Sequence, residues 1–210
     1  MHIAVPCDSV EVEKATKAIA SISGPAIVRY AREATLVVTC EDTPYKFGIA
    51  NTIRYRGERE NFIEAFEIKL STEYESEDED LSIAACGPMV PEAMRAAYIL
   101  KEEYGIEARI INLHTVKPID REALVKAAEE TGIIITAEEH QVGGFGNVVA
   151  GVIAQGKKYN TPLLMDMVRV PDRFGESGAP WELMKVFGLT AEHIAQRAKR
   201  LYDKKIQPTK

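Results

Sequence analysis

From residue 81 onward, short β-branched apolar runs alternate with stretches of helical periodicity. This is the pattern of a sheet that packs helices on its faces. The runs are Leu81 to Cys86, Ala108 to Leu113, Ile133 to Glu138 and Leu163 to Val170. Pro91 to Tyr104 opens with proline in its first turn, and Asp120 to Thr131 opens on an acidic N-cap and is followed by Gly132. Both are predicted to be crossover helices. Asn147 to Gln155 is expected to be helical after a glycine-rich turn, and Pro180 to Phe187 to be a helix that ends at Gly188. A last helix from about Ala191 to Lys204 places Ile194, Ala198, Leu201 and Tyr202 on one face behind a Thr190 cap. The predicted fold is α/β, a three-layer sandwich with a mainly parallel, doubly wound sheet over residues 81–205, followed by a tail at 206–210.

Residues 1–40 read differently. A strand, Ile3 to Val5, leads into a helix opened by an Asp8-x-x-Glu11 capping box, with Val12, Ala15, Ile19 and Ile22 on one stripe, and then into a second strand, Ala26 to Tyr30. A β-α-β unit of this size normally belongs to a larger sheet, so the rest of that sheet is expected upstream or on another chain. Residues 41–80 are expected to connect the two parts. Phe62, Phe66, Leu70 and Tyr74 suggest one helix there, followed by the acidic run Glu73 to Asp80, which is expected to be a solvated loop.

Composition narrows the function. With 46% hydrophobic and 28% charged residues and a net charge of -6, the chain is an ordinary globular one with no basic excess, which argues against nucleic acid as a partner. Cys7, Cys40 and Cys86 are odd in number and lack C-x-x-C spacing, so they are expected to be buried thiols in a reducing compartment. Neither a secretory leader nor an apolar run long enough to span a bilayer is seen, and the expected location is the cytoplasm.

Several strings could carry chemistry. Asp172-Arg173-Phe174-Gly175-Glu176-Ser177-Gly178 joins the last strand to a helix and could form an Asp/Arg/Glu charge network; a packed structural or subunit-contact loop is the expected role of Asp172, Arg173 and Glu176. Gly143-Gly144-Phe145-Gly146 could cradle an anion with free N–H groups, but it is neither a G-x-G-x-x-G nor a P-loop, and a glycine-permitted tight turn is expected. Glu138, Glu139 and His140 cluster at a strand end as acid-base groups or metal ligands would, yet no second ligand cluster accompanies them, so a structural loop is expected there too. His114 is expected to satisfy local hydrogen bonds.

The Asp172 to Gly178 string resembles the signature near the C-terminus of transketolases. Cys86-Gly87-Pro88-Met89, Asn112 to Pro118, Glu138-Glu139-His140, Gly143 to Gly146 and Phe187-Gly188-Leu189-Thr190 resemble that family's C-terminal domain, in the family's order. Residues 3–32 resemble the end of the family's pyrimidine-binding domain. The resemblance implies a homodimeric or split enzyme that moves a two-carbon ketol unit between sugar phosphates with thiamine diphosphate and a divalent cation. It also implies that the residues holding this cofactor lie outside the chain, so that none is expected bound to it alone and the isolated chain is expected to be inactive. The one substrate-site residue it carries over is Arg32, aligned with an arginine that grips the sugar-phosphate end, a role suited to a planar guanidinium fork. Arg29 is a weaker candidate. The alternatives are a non-catalytic dimerisation or docking module, or the corresponding part of deoxyxylulose-phosphate synthase or of a 2-oxoacid dehydrogenase E1 beta chain.

Overall fold

A computed structural model describes residues 1–156 and 162–207. Its central sheet is built on β5 (Leu81–Ala85), β6 (Ala108–Asn112), β8 (Ile133–Gln141) and β9 (Leu164–Val170), all parallel to their neighbours in the order β6-β5-β8-β9. The period-2 alternation of side chains sorts each strand onto two faces. Ile83, Ile110 and Ile135 join the core under α2 (Met89–Tyr104) and α6 (Ala191–Ile206). Ala84, Ile111 and Ile134 join the core under α3 (Arg121–Thr131) and α4 (Phe145–Gly156). Both faces are dry, which is why these strands are apolar almost throughout rather than alternating.

The helix ends follow their local chemistry. The Asp120 carboxylate accepts from the backbone N–H of Ala123 at the start of α3. Gly132 stops that helix at φ +63, in the left-handed region where other residues are strained. The three-layer, mainly parallel doubly wound architecture is as expected.

Residues 41–80 depart from expectation. In place of a helix over 62–74, a short 3-10 turn (Phe62–Ala65) runs into a strand, β4 (Phe66–Leu70), paired antiparallel with β3 (Asn51–Tyr55). β3 in turn pairs antiparallel with β6, so the expected connector adds a hairpin to the edge of the sheet. The spacing of Phe62, Phe66 and Leu70 imitated a helical stripe. Phe62 and Phe66 instead meet through ring contacts 5.0 Å apart, with Tyr55 and Tyr98 packed beside them.

The acidic run is corrected at one position. Glu79 is buried, not solvated, because Arg54 and Arg109 from β3 and β6 and the Tyr74 hydroxyl converge on its carboxylate. Burial alone would raise that carboxyl; the hydrogen bonds from Tyr74 and Ser76 and the Arg109 charge overcome it and hold it at about 2.

The N-terminal unit comprises β1 (His2–Ala4), α1 (Ser9–Ala20) and β2 (Ala26–Val28), with β1 and β2 parallel. A third strand, β7 (Thr115–Lys117), comes from the body of the fold and pairs antiparallel with β1. That seam is extended by Val5 N–H donating to the His114 carbonyl and Gly87 N–H to that of Val5. Of the cysteines, Cys7 and Cys86 are buried as expected, whereas Cys40 is exposed. The last helix, α6, runs on to Ile206, and residues 208–210 of the expected tail lie outside the described residues.

Candidate functional site

In an open doubly wound sheet, ligands gather where consecutive crossovers leave the carboxyl ends of two neighbouring strands in opposite directions. Here those strands are β5, whose exit through Gly87 and Pro88 leads to α2, and β8, whose exit leads to α4. The end of β2 approaches the same place, bringing Arg29 within 3.3 Å of the Glu139 carboxylate. A cleft of about 580 Å³ opens there, with Arg32 and Leu36 from the N-terminal unit facing Arg95 of α2, Glu139 of β8, and Trp181 and Met184 of α5 (Pro180–Val186).

Arg32 therefore stands at a cleft mouth. Its side chain is 96% exposed and its acidic neighbour, Glu33, lies 3.9 Å away, so the guanidinium fork is left open. Arg29 is committed to Glu139, which separates the two arginines by geometry rather than by residue type. The cleft also holds Glu92, which pairs with Arg95 and caps α6 by accepting from Ala191 N–H at 2.8 Å.

The residues of the 172–178 string are exposed throughout. Arg173 pairs with Glu176 at 3.0 Å and lies over the Phe187 ring at 4.8 Å, while Phe174 is 98% exposed. Of the Asp/Arg/Glu network that the string could form, only this pair is present among the described residues. Among the described residues Asp172 takes no hydrogen bond or ion pair. Gly178 reaches the cleft that Arg32 lines, whereas Asp172 borders a different depression beside Arg169 and Arg197.

Glu138, Glu139 and His140 lie within β8 rather than in the expected loop, and His140 forms one structure with the glycine string. The Glu138 carboxylate is fully buried and accepts from Phe145 N–H at 2.6 Å and Gly146 N–H at 2.7 Å, and it lies 3.0 Å from His140 Nδ1. The start of α4 is thus an anion site already filled by the chain's own carboxylate. A Cβ on Gly146 would come within 2.7 Å of Thr136 Oγ1, so the glycine is there for close approach.

His114 is buried, stacked on Tyr45 at 4.3 Å and 3.0 Å from Thr115 Oγ1, and burial pushes it down to about 4. Sequence reasoning missed what Glu11 does. The capping box accounts for its backbone, since Asp8 accepts from Glu11 N–H at 2.9 Å. The Glu11 carboxyl, however, takes the N–H of Cys7 and the amide of Asn112 on β6, and burial pushes it up to about 7. Among the described residues no three His, Cys, Asp or Glu side chains converge as a metal set. No described helix is long and apolar enough to cross a membrane.

A crevice at the carboxyl ends of a doubly wound parallel sheet, with an N-terminal β-α-β unit leaning over it, places the chain in the open α/β class. Comparison with known proteins makes this specific. The family model described as transketolase, C-terminal domain matches residues 70–194. The chain is 32% identical over 206 residues to 6-deoxy-6-sulfo-D-fructose transketolase subunit SqwH of Clostridium sp. (strain MSTE9), covering 98% of this chain and 56% of that one. It is 32% identical over 200 residues to a subunit of the apulose-4-phosphate transketolase of Phocaeicola vulgatus, covering 94% and 55% respectively. A solved structure described as a split gene transketolase, inactive beta4 tetramer, superposes with a TM-score of 0.76 at 33% identity, over 95% of this chain and 57% of that one. The chain belongs to the transketolase family, as its C-terminal portion. It spans a little over half the length of these relatives.

Proposed function

We propose that this chain completes an enzyme that moves a two-carbon ketol unit between sugar phosphates, and that it transfers no group until it pairs with a chain carrying the remainder. The observation that supports this most directly is the exposed Arg32 fork at the cleft mouth, held only by a 3.9 Å pair from its Nε to Glu33, beside an arginine already neutralised by Glu139. In this reading Arg32 binds the phosphate end of the substrate by paired charge-assisted hydrogen bonds. Thiamine diphosphate, when bound in the assembled enzyme, would supply the carbanion chemistry. In this reading the complementary chain would hold both the cofactor and its divalent cation.

The same reading gives Asp172, Arg173, Glu176 and His140 structural or interface roles. Support comes from the exposed Phe174 loop and from the filled anion site beside His140. Residues 1–40 act as the closing piece of a pyrimidine-binding domain, in keeping with the open outer edge of β2. Assembly with further copies and a reducing, cytoplasmic location belong to the reading too, the latter supported by three free cysteines.

The test is reconstitution with the complementary chain, thiamine diphosphate and magnesium, with Arg32→Ala and Arg32→Lys measured beside the wild type. The KM for a phosphorylated donor should rise about 10- to 100-fold in Arg32→Ala, the worth of hydrogen bonds to a charged group, with kcat much less affected. An unchanged KM would remove Arg32 from the substrate site. Full ketol transfer by the isolated chain would overturn the proposal as a whole.

A further inference from the structure

Where the β3–β4 hairpin meets α2, three aromatic rings surround a recess of about 350 Å³ that shares no lining residue with the Arg32 cleft. Tyr55 of β3, Phe62 of the 3-10 turn and Tyr98 of α2 line it together with Ala65. Tyr55 is buried, whereas Phe62 and Tyr98 are half-buried. The Tyr98 ring stands at 89° to that of Tyr55, with centroids 5.6 Å apart, and at 74° to that of Phe62, 6.1 Å away. Rings turned across one another in this way make a corner, where a parallel stack would leave no space. The volume falls at the small end of the range for ligand pockets, about 300–1,000 Å³.

The recess is also negative. Glu58 and Glu60 line it and are exposed. The Tyr55 hydroxyl donates to Glu102 at 3.0 Å and the Tyr98 hydroxyl to Glu58 at 3.4 Å. The Glu58 charge, followed by burial and by Glu102, raises the Tyr98 hydroxyl above its ordinary value. A phenol that donates to a carboxylate has a more electron-rich ring, and the face of such a ring attracts cations. The chain's own cation at this place is left over. Arg59 lines the recess, and among the described residues it pairs with no acid and lies over no ring. A primary ammonium or a metal ion keeps its charge on a compact, strongly hydrated centre that demands oxygen ligands. Ring faces and the Ala65 methyl supply none. A trimethylammonium head spreads its charge over methyl groups and matches such walls.

We propose that this recess binds a trimethylammonium group, held against Tyr55, Phe62 and Tyr98 and neutralised by Glu58 and Glu60. The site stands on the hairpin and α2 alone, whatever the assembled enzyme transfers. Arg59 opposes the guest, because its like charge borders the same recess. The head group can arrive on a small molecule or on a trimethylated lysine side chain, and the recess reads the chemistry that the two share.

The experiment titrates the whole chain with choline chloride and, separately, with a short peptide carrying one trimethyllysine, each against sodium chloride at matched ionic strength. Amide and aromatic NMR signals are followed. At least one probe should give saturable shifts confined to residues 58–66 and to Tyr55 and Tyr98, and the tighter probe names the source of the group. Tyr98→Ala should weaken binding about 3- to 30-fold, the worth of one cation–π contact. Because that variant opens the aromatic cluster and can fail to fold, two variants that keep every ring carry the test independently. Glu58→Gln should weaken binding about 2- to 5-fold, and Arg59→Ala should tighten it by about 2-fold. Shifts that never saturate, that sodium chloride reproduces or that spread beyond the hairpin and α2 overturn the proposal, as does an affinity unchanged in both charge variants.

Discussion

The Glu138 carboxylate accepts the backbone N–H of Gly146 at 2.7 Å, eight residues further along the chain, and so supplies from the end of β8 the negative charge that the start of α4 attracts. The contact ties a strand end to the helix that follows it inside a dry site, where a charge-assisted hydrogen bond is strong and its loss leaves N–H groups stranded.

Replacing Glu138 with Gln keeps the shape but removes the charge and turns an NH2 group toward donors. We expect a loss of about 1.5–3 kcal/mol, read as a lower midpoint in urea with an unchanged slope. His140→Ala, which removes a ring 31% exposed at the rim of the same carboxylate, should cost clearly less.

Two glycines of α4 should respond in opposite directions to alanine. At Gly146 the added methyl would sit 2.7 Å from Thr136 Oγ1 and 3.0 Å from Met167 Sδ, so Gly146→Ala should cost about 1–3 kcal/mol. At Gly151 there is open space, so Gly151→Ala should stabilise by up to about 1 kcal/mol through helix propensity alone. Denaturant melts of the two variants against the wild type check both signs.

Glu79, held at about 2, makes the chain acid-sensitive. Its folded-state value is depressed, so its contribution is fully present above about pH 4.5 and is lost as pH falls through 2. Glu79→Ala should cost about 1.5–3 kcal/mol at pH 7, because Arg54 and Arg109 keep Glu107 and Glu130 but lose the buried carboxylate between them. It should also flatten the acid limb of the stability curve, measured by urea melts between pH 2 and 5.

His114, held down at about 4, titrates in the unfolded chain near 6.5, so stability falls by up to about 3 kcal/mol as pH drops from 6.5 to 4. Glu11 gains stability over much of the same interval. Replacing His114 with Phe should therefore leave a curve that rises on acidification, whereas replacing Glu11 with Gln should leave one that falls. Proton NMR of the His114 ring gives the midpoint directly; a value near 6.5 would show that the ring is not dry.

The parallel sheet and its crossover helices were legible because each strand is buried on both faces and each helix carries its own stop or cap, as Asp120 and Gly132 do for α3. The hairpin of β3 and β4 was not, since Phe62, Phe66 and Leu70 are spaced as on a helix and only pairing with β6 makes them strand and turn. Arg32 could be singled out by resemblance, but its open fork and the commitment of Arg29 to Glu139 are facts of the cleft.

By itself, the chain's order of residues determined the α/β class, the doubly wound core, the position of Asp8 at a helix start and the family strings from Cys86 to Gly178. These depend on local preference and on burial periodicity, which act over a few residues at a time. Tertiary structure decided what the polar residues do. Glu138 became the anion of α4, Glu79 the centre of an arginine network, and Glu11 a buried acceptor for the Asn112 amide. The reason is desolvation: a carboxyl takes its character from the donors, charges and water around it, and contacts such as that of residue 11 with 112 are set only when the strands have packed.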